Sequence, residues 1–506
     1  MAPSPARAQV SSPEGEGPAC RRFSSLLIAC HFLFFVGVSA QDAYGFGLER
    51  ASDHGCAADG VADDTACIQA AIDAARNASR TLYLARGTYR ITRFLDWGMW
   101  PAISVRGGEP GNAGVAGSAS SVAIVADGSV GGGAVHDFTG VAYGSVEGIA
   151  FLGGSAMAQV LLGRTATGNG YGSDVVFRNC NFAPPSRMGA MAFVNHMGEV
   201  ITWRDCRFLG NGAPALLITW RAPFWNVSAP SGRPLATSVS LTVFRIDGGD
   251  FTGDNCGLIS LDTEGQPNAG CALHVAGSYF ANTGDIMSAI EVRGTWRNVV
   301  VEGSRLEDDG GGPPVQHLVF LRLVNGALLQ HFSISAYGDG DATWPLIAGE
   351  GSLEGGALIG HGEINITVGD MRAVDITSAE RVRLAVGGDV LNVRARSRAD
   401  VAAADVAVAG SLELDDGRGG VIVHIEAVAA GDAASWAVDA DGLIEAAFAG
   451  TRMLLHASSG GGDRRADVLS FRDEPAGQLA LNGLAVSASD KGGAGGLFVV
   501  RRLTAA

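Results

Sequence analysis

Between residues 59 and 80, the apolar residues follow a helical period. Four of them recur at i, i+3, i+4 and i+7, the spacing that places side chains on one face of a helix. They are Ile68, Ala71, Ile72 and Ala75. Asp63, Asp64 and Thr65 precede this face. Their side chains can accept hydrogen bonds from the free N–H groups of a first turn, and the helix dipole attracts the two carboxylates. We therefore predict a helix that begins near Asp64.

The period changes to two directly after this helix. Leu82 and Leu84, and then Tyr89 and Ile91, alternate with polar or small residues on either side of Gly87. This alternation predicts two short strands joined by a tight turn. A helix followed by a strand pair suits a lid on the end of a larger β core.

Residues 59–91 also resemble a known family. They read Asp-Gly-Val-Ala-Asp-Asp-Thr-Ala-Cys-Ile-Gln-Ala-Ala-Ile-Asp-Ala-Ala and, after a short interval, Thr-Leu-Tyr-Leu-Ala-Arg-Gly-Thr-Tyr-Arg-Ile. This sequence resembles the first segment of the pectate-lyase superfamily, in particular its rhamnogalacturonase and epimerase-like pectate lyases. The resemblance implies an all-β chain folded as a right-handed parallel β-helix, and activity on polysaccharides. Because lyases of this superfamily commonly need calcium, it also implies calcium as a possible cofactor.

The middle of the chain repeats a six-residue unit. Six clear copies and two looser ones occupy residues 146–151, 177–182, 203–208, 246–251, 275–280, 301–306, 329–334 and 359–364. Their last residues lie 26 to 31 residues apart, with one longer step of 43. Such a near-constant spacing predicts a solenoid, because each turn buries its apolar face only when the next turn stacks on it.

The residue types within the unit predict which side chains face outward. The first and last positions are large and apolar, the third is mostly Asn, Asp or Gly and suits a bend, and the fourth is small. The second and fifth positions are therefore outward. The second carries Arg204 and Asp247 in successive units, and the fifth carries Arg207, Asp250 and Tyr279.

Arg204, Arg207, Asp247 and Asp250 are the candidate catalytic residues, because they project from two adjacent coils. In uronate elimination, the aspartates would bind calcium or the acidic sugar while an arginine abstracts a proton. In glycoside hydrolysis, two carboxyl groups would divide the acid and base roles. The alternative interpretation is a salt-bridged surface between coils, without catalysis.

The step of 43 residues contains an insertion at about residues 213–238, whose proline and aromatic content predicts an ordered loop. Phe224 and Trp225 in this insertion, together with Tyr279, are candidates for stacking on sugar rings. Alternatively, Phe224 and Trp225 fix the insertion against the coils.

The N-terminal segment and three sequons predict the cellular compartment of the protein. Arg21 and Arg22 precede an apolar run at 26–38 and small residues up to Ala40. This layout is typical of a signal peptide, with an uncleaved anchor as the alternative. Sequons at Asn77, Asn226 and Asn365 would suit a secreted glycoprotein.

The cysteines beyond this segment lack the spacing of zinc ligands, and we expect them to form three structural disulfides. They are Cys56, Cys67, Cys180, Cys206, Cys256 and Cys271. Cys180 and Cys206 share the fourth position of adjacent units. They form either a disulfide or a pair of stacked buried thiols.

Charge narrows the class of partner. A formal net charge of −16 makes nucleic acid and anionic membranes poor partners, so we expect a polysaccharide instead.

Beyond residue 370 the repeat becomes irregular, which predicts further coils or a separate β domain. We divide the chain into a signal peptide (1–40), a capping segment (41–95), the β-helix (96–369) and a β-rich C-terminal region (370–506).

Two functions agree with these features. The first is a secreted polysaccharide-active enzyme, a lyase or hydrolase of cell-wall or extracellular glycans. The second is a non-catalytic β-helix that binds glycans or serves an adhesive or structural role. We expect an extracellular protein with no stable membrane span after signal cleavage.

Overall fold

The structure is a computed structural model. It describes residues 47–98, 103–108, 122–166, 174–223, 229–253, 257–266, 268–282, 288–308, 319–338, 345–360 and 364–378, and a series of strands between 382 and 502. The chain divides into two units, Met1–Leu48 and Glu49–Ala506, and the fold below belongs to the second. Among the described residues, no helix is both long and apolar enough to span a bilayer.

Strands dominate the fold. A 3-10 helix (Ala51–His54) and one α-helix, α1 (Thr65–Asn77), lie near its start. The strands up to residue 282 are β1 (Leu48–Arg50), β2 (Asp59–Asp63), β3 (Thr81–Leu84), β4 (Gly87–Ile91), β5 (Leu95–Asp96), β6 (Ser104–Gly107), β7 (Val122–Ala126), β8 (Ala134–Asp137), β9 (Ser145–Glu147), β10 (Ile149–Gly153), β11 (Ala158–Gly163), β12 (Val175–Arg178), β13 (Asn181–Phe182), β14 (Met191–His196), β15 (Ile201–Arg204), β16 (Arg207–Leu209), β17 (Leu216–Thr219), β18 (Phe244–Asp247), β19 (Asp250–Gly253), β20 (Gly257–Asp262), β21 (Gly270–Ala276) and β22 (Tyr279–Asn282).

The later strands include long ones that turn from one sheet into the next. They are β23 (Ser288–Asp308), β24 (Val319–Gly338), β25 (Pro345–Gly349), β26 (Ser352–Gly360), β27 (Ile364–Val368), β28 (Met371–Ser378), β29 (Val382–Ser397), β30 (Ala404–Asp415), β31 (Val421–Ala427), β32 (Ala434–Val438), β33 (Ile444–Ala447), β34 (Met453–Ser459), β35 (Leu469–Phe471), β36 (Gln478–Leu481), β37 (Leu484–Asp490) and β38 (Gly496–Arg502).

The strands stack into three parallel sheets. Sheet A follows β3, β6, β9, β12, β15, β18 and β21. Sheet B follows β2, β4, β7, β10, β13, β16, β19 and β22. Sheet C follows β5, β8, β11, β14, β17 and β20. Each coil contributes one strand to every sheet, so coil 1 is β3–β5 and coil 6 is β18–β20. The predicted parallel β-helix is confirmed.

The predicted roles of the six positions are confirmed where the coils are regular. The bend position between sheets A and B has a left-handed backbone, with φ from +49° to +73°. It is occupied by Gly148, Asn179, Asp205, Gly248, Gly277 and Gly303. The first, fourth and sixth positions are buried. The fifth is partly exposed from Arg207 onward but buried at Asn181, where the sequence predicted an outward side chain.

The left-handed corner gives a first testable prediction, at Asn179. Its φ of +49° suits Asn or Gly, whereas other side chains lose about 1–2 kcal/mol there. We expect Asn179→Ala to lower the free energy of unfolding by about this amount, and Asn179→Gly to change it little. Urea titration followed by circular dichroism measures both variants. Equal losses in the two would show that the Asn179 side chain matters instead of the backbone conformation.

The sixth position forms a column of stacked phenylalanines inside the helix. The ring centroids of Phe151, Phe182, Phe208, Phe251 and Phe280 follow one another at 5.4, 5.1, 4.7 and 5.1 Å, with interplanar angles of 26° or less. Offset-stacked rings at this spacing combine apolar burial with favourable ring geometry. This column runs through five consecutive coils and occupies the centre of the core.

Helix α1 caps the first coil, as predicted. It begins at Thr65, and the side chains of its predicted apolar face are buried. The Asp63 carboxylate accepts a hydrogen bond from Thr65 N at 3.0 Å. Asp64 does not cap the helix, because its carboxylate accepts hydrogen bonds from Ala57 N at 2.7 Å and Ala58 N at 3.1 Å and so closes the preceding loop.

The predicted strand pair behind this helix exists, but the strands do not pair with each other. β3 pairs with β6 in sheet A, and β4 pairs with β2 and β7 in sheet B. The tight turn is therefore a corner of the coil. Period-two alternation is the same in a hairpin and in a coil, so the sequence pattern alone did not distinguish them.

The carboxylate of Asp63 gives this cap a defined acid sensitivity. The hydroxyl groups of Thr65 and Thr92 donate to it, and these hydrogen bonds lower its pKa to about 2. Since an unfolded Asp titrates near pH ~3.9, the stabilisation is present above that pH and is lost as the pH falls toward 2. We expect the Tm of Asp63→Asn to be lower at pH 7 and to decline less between pH 4 and 2. Thermal unfolding across this range measures the two slopes, and identical slopes would contradict this role.

Parallel pairing continues beyond residue 369, the predicted end of the β-helix. β28 pairs in parallel with β29, and β29 with β30. Antiparallel pairing begins where β30 meets β31 and β32, and it continues through the pairs that follow. The C-terminal region thus contains further coils followed by antiparallel β structure.

The described cysteines form one disulfide. Cys56 and Cys67 are joined, with Cα atoms 5.4 Å apart. Cys180 and Cys206 are buried free thiols on adjacent coils, so the predicted disulfide between them is replaced by its alternative, stacked thiols. Direct stacking in a parallel sheet points both side chains the same way, which is not the favoured disulfide geometry. Cys271 is also free, and Cys256 lies outside the described residues.

Candidate functional site

The four predicted catalytic residues form two ion pairs between coils 5 and 6. On sheet A, Arg204 is in register with Asp247, and its Nη2 lies 3.4 Å from Oδ2 of the aspartate. On sheet B, Arg207 is in register with Asp250, with Nε 3.3 Å from Oδ2. All four side chains are between 32% and 49% exposed, a setting in which an ion pair contributes at most about 1 kcal/mol.

Of the predicted sugar-stacking residues, Tyr279 lies in the part of the chain that the structure describes. Tyr279 is the register neighbour of Asp250 on sheet B, and its hydroxyl donates to Glu307 Oε2 at 2.6 Å. Phe224 and Trp225 lie outside the described residues, as does Asn226. The described contacts of residues 229–236 in the insertion are with sheet C and the turns that follow its strands.

Three outward side chains of sheet A include and follow the aspartate of the first ion pair. Asp247, Ala276 and Glu302 follow one another in register on coils 6, 7 and 8. The residues before them in each strand, Ile246, Val275 and Val301, are buried, so these three side chains face outward. Because Ala276 is the smallest of the three, it forms the floor of a gap between two carboxylates.

A histidine and an arginine lie on the same outer face, beside this gap. His274 precedes Ala276 by two positions and faces the same side, and its Nε2 lies 2.8 Å from Glu302 Oε1. The exposed Arg245 is the register neighbour of His274 on coil 6. Asp247, His274, Ala276 and Glu302 are called the recess below. His274 is 38% and Glu302 is 60% exposed, so a ligand can reach both.

Sequence reasoning missed part of this group for an identifiable reason. Glu302 was present in the predicted outward column, but Arg245 and His274 stand one residue before the first aligned position of their units. Strand alternation places that residue outward as well. Extending the repeat by one residue would have identified both.

The described residues offer one group of side chains close enough to share a metal ion, Cys56, Asp64 and Cys67. The two sulfur atoms are joined in the disulfide, and the Asp64 oxygens accept backbone hydrogen bonds. This group therefore suits a structural role. Calcium, suggested by the family resemblance, stays a prediction.

The fold and this face define a parallel β-helix with a charged outer site. Residues 50–98 match the family model described as "Rhamnogalacturonase A/epimerase, pectate lyase-like". This match contains residues 59–91 and confirms the predicted resemblance of this segment to the pectate-lyase superfamily. No curated protein matches the sequence.

Several solved structures are similar to this chain. A surface adhesin of Streptococcus pneumoniae, PfbA, is 13% identical with a TM-score of 0.38, over 73% of this chain and 91% of its own. The A-module of a mannuronan C-5 epimerase from Azotobacter vinelandii is 16% identical with a TM-score of 0.38, over 69% and 95%. A family 28 exopolygalacturonase from Yersinia enterocolitica is 10% identical with a TM-score of 0.33, over 70% and 78%.

Proposed function

We propose that this protein hydrolyses a polysaccharide, with Asp247 and Glu302 as its two catalytic carboxyl groups. The observation that carries this proposal is their placement on either side of Ala276 in the recess. Two strand spacings separate their Cα atoms by roughly 10 Å. When the side chains tilt over Ala276, the carboxyl groups approach the separation of about 6.5–9.5 Å that inverting glycoside hydrolases use.

The surroundings of the two carboxyl groups differ and suggest separate roles. In an inverting reaction, one group donates its proton to the leaving glycosidic oxygen, while the other accepts a proton from the water that attacks the opposite face of the sugar. Asp247 faces the cationic Arg204 and is assigned as the base. Glu302 is assigned as the acid, because its neighbour 2.8 Å away is His274 instead of a permanently cationic arginine.

Hydrolysis fits the observed contacts better than uronate elimination. Elimination would require Arg204 or Arg207 to accept a proton, yet each guanidinium lies within 3.4 Å of a carboxylate on the next coil. Arginine in this setting serves as a counter-ion, and it ordinarily remains protonated in proteins. The match of residues 50–98 to a family named for rhamnogalacturonase A supports a polysaccharide as the substrate.

A panel of neutral and uronate-containing polysaccharides tests this function. We expect the wild-type protein to release reducing ends without unsaturated products. Ala276→Leu fills the recess without removing a charge and should reduce release about 100-fold, since a displacement of about 1 Å is enough for such a loss. Ala357→Leu is the matched control, because Ala357 is also partly exposed and lies in β26 on the same sheet, two coils beyond Glu302.

The panel also discriminates the alternatives. Unsaturated products would favour elimination. Binding without any product would overturn the enzymatic proposal and favour a non-catalytic, glycan-binding or adhesive β-helix. Equal activity of Ala276→Leu and Ala357→Leu would place the reaction elsewhere on the molecule.

We also propose that the protein is secreted and glycosylated. Residues 1–40 have the layout of a signal peptide, and Asn77 is exposed at the last position of α1. Asn365 is partly buried within β27 and is the less accessible sequon. Expression in secreting eukaryotic cells should yield protein in the medium whose mass falls on N-glycosidase treatment, and Asn77→Gln should remove most of that difference. Retention of all the protein inside the cells would contradict secretion.

A further inference from the structure

Residues 229–243, called the strap below, cross the outside of the β-helix from coil to coil. The partners of the strap come from five successive coils. They are Asp96 in coil 1, Asp137 in coil 2, Arg164 and Thr165 after coil 3, His196 in coil 4 and Trp220 after coil 5. Four strand spacings amount to a span of roughly 19 Å along the solenoid axis. The strap therefore runs perpendicular to the strands that it covers.

The N-terminal part of the strap, which lies at coils 1 and 2, is held by two carboxylates. A turn closed by Gly232 N and Ala229 O, 2.8 Å apart, presents Ser231 to Asp137. Oδ2 of this fully buried aspartate accepts hydrogen bonds from Ser231 N at 3.0 Å and Ser231 Oγ at 2.5 Å. Arg233 adds a two-point contact with Asp96, at 2.7 Å and 2.5 Å. A buried carboxylate is costly without such partners, so Asp137 and the strap depend on each other.

The middle of the strap is held by apolar packing. A second hydrophobic cluster lies on the outer face of sheet C, separate from the core inside the helix. It contains Ala134, Ala158, Leu161, Met191, Val194, Ala213, Ala229 and Leu235. Leu235 of the strap packs so closely that a Cβ atom on Gly163 would lie 2.8 Å from its Cδ2. Because the core covers one face of β11 and β14 and this cluster covers the other, both strands are buried at every position. Strands with one solvent-exposed face are not.

The C-terminal part of the strap is hydrogen-bonded to coil 4 and to the turns around coil 5. His196 Nε2 lies 2.8 Å from Ala236 O, and Val239 N donates to Trp220 O at 2.8 Å. Thr242 N and Oγ1 both donate to Gly198 O at 2.9 Å. Contacts are thus distributed along the whole described strap, and its two ends are fixed four coils apart.

We propose that the strap is an intramolecular clasp that makes coils 1 to 5 unfold as one unit. In an unclasped solenoid, each coil contacts only its neighbours, so the end coils can open one at a time. The strap joins coil 1 directly to coil 5 and adds the side-chain contacts of Ser231, Arg233 and Leu235. Opening any of these coils then requires the strap contacts to break with it. This inference does not depend on the proposed activity, because the strap contacts sheet C and the recess lies on sheet A.

Hydrogen exchange of the intact protein tests the clasp, with Arg233→Met and Ser231→Ala as variants. We expect amide exchange in β5, β8, β11 and β14 to accelerate together by about tenfold or more, with β26 and β28 as unchanged internal references. Arg106→Met is the matched control, because Arg106 is an exposed arginine of coil 2 that lies on sheet A, whereas the strap covers sheet C. This control should leave exchange in all four strands unchanged.

A milder variant keeps the test decisive if Arg233→Met folds poorly. Gly163→Ala would place a Cβ atom 2.7 Å from Thr139 Oγ1 and 2.8 Å from Leu235 Cδ2, so both side chains must move while both carboxylates are retained. We expect the same four strands to respond. Acceleration confined to residues 229–243, or confined to a single coil, would overturn the proposal. Unchanged exchange in Arg233→Met, Ser231→Ala and Gly163→Ala would overturn it as well.

Discussion

Glu302→Gln should lower the rate of oligosaccharide release by about 1,000-fold and leave polysaccharide binding nearly unchanged. The amide keeps the size of the side chain and can still contact His274, which now lies 2.8 Å from the carboxylate. It cannot donate the proton that the leaving oxygen needs, and general acid catalysis contributes about 10²–10⁴-fold to such reactions. Initial rates of reducing-end release, together with binding isotherms, separate these two effects.

Glu147→Gln is the matched control for this prediction. Glu147 lies on the same outward column of sheet A, three coils before Asp247. Its substitution removes the same charge from the same face, so an electrostatic contribution to binding would appear in both variants. A comparable loss of rate in Glu147→Gln would contradict the role assigned to Glu302. Asp247→Asn should reproduce the loss, although it also removes the partner of Arg204.

The sequence predicts the coils well because their rules are local. Corner residues such as Asn179 and Asp205 reveal a left-handed backbone by their residue type, and Phe182 and Phe208 reveal inward positions by their size. Each of these preferences is set by the coil and the two coils that touch it. The register of sheets A and B therefore follows from the amino-acid sequence alone.

Placement of the insertion could not be predicted in the same way. Its described part packs against sheet C because Ser231 and Arg233 meet Asp137 and Asp96, which lie 94 and 137 residues away in sequence. Nothing in a local pattern indicates which of three outer faces a loop will cover. The apolar outer face of β11 and β14 was the available signal, since strands that are apolar at both alternating positions are buried on both sides.

Only part of the recess was predicted, because its arrangement also depends on how the coils stack. Asp247 and Glu302 stand at aligned positions, but the functional significance of Ala276 comes from its register between them. An alanine carries no functional group, so the sequence alone does not mark it as part of a site. Once the coils are stacked, it determines where two carboxyl groups have space for a ligand.

The largest loss of stability should come from Phe208→Ala, in the middle of the phenylalanine column. Phe208 is fully buried, with Phe182 at 5.1 Å on one side and Phe251 at 4.7 Å on the other. Removing this ring leaves a cavity that β-strands on three sides cannot easily close. We expect a loss of about 3–5 kcal/mol in the free energy of unfolding, measured by urea titration with circular dichroism.

Two further substitutions make this prediction specific. Phe94→Ala removes the same ring from a position that is 37% exposed and should cost much less. Phe208→Leu should fall between the two, because leucine already occupies the equivalent inward position at Leu306. Leucine fills most of the volume but loses the ring stacking on both neighbours. If Phe208→Ala and Phe94→Ala lost equal stability, the column would not be the centre of the core, and the main stabilising contacts would have to lie in another layer of the coils.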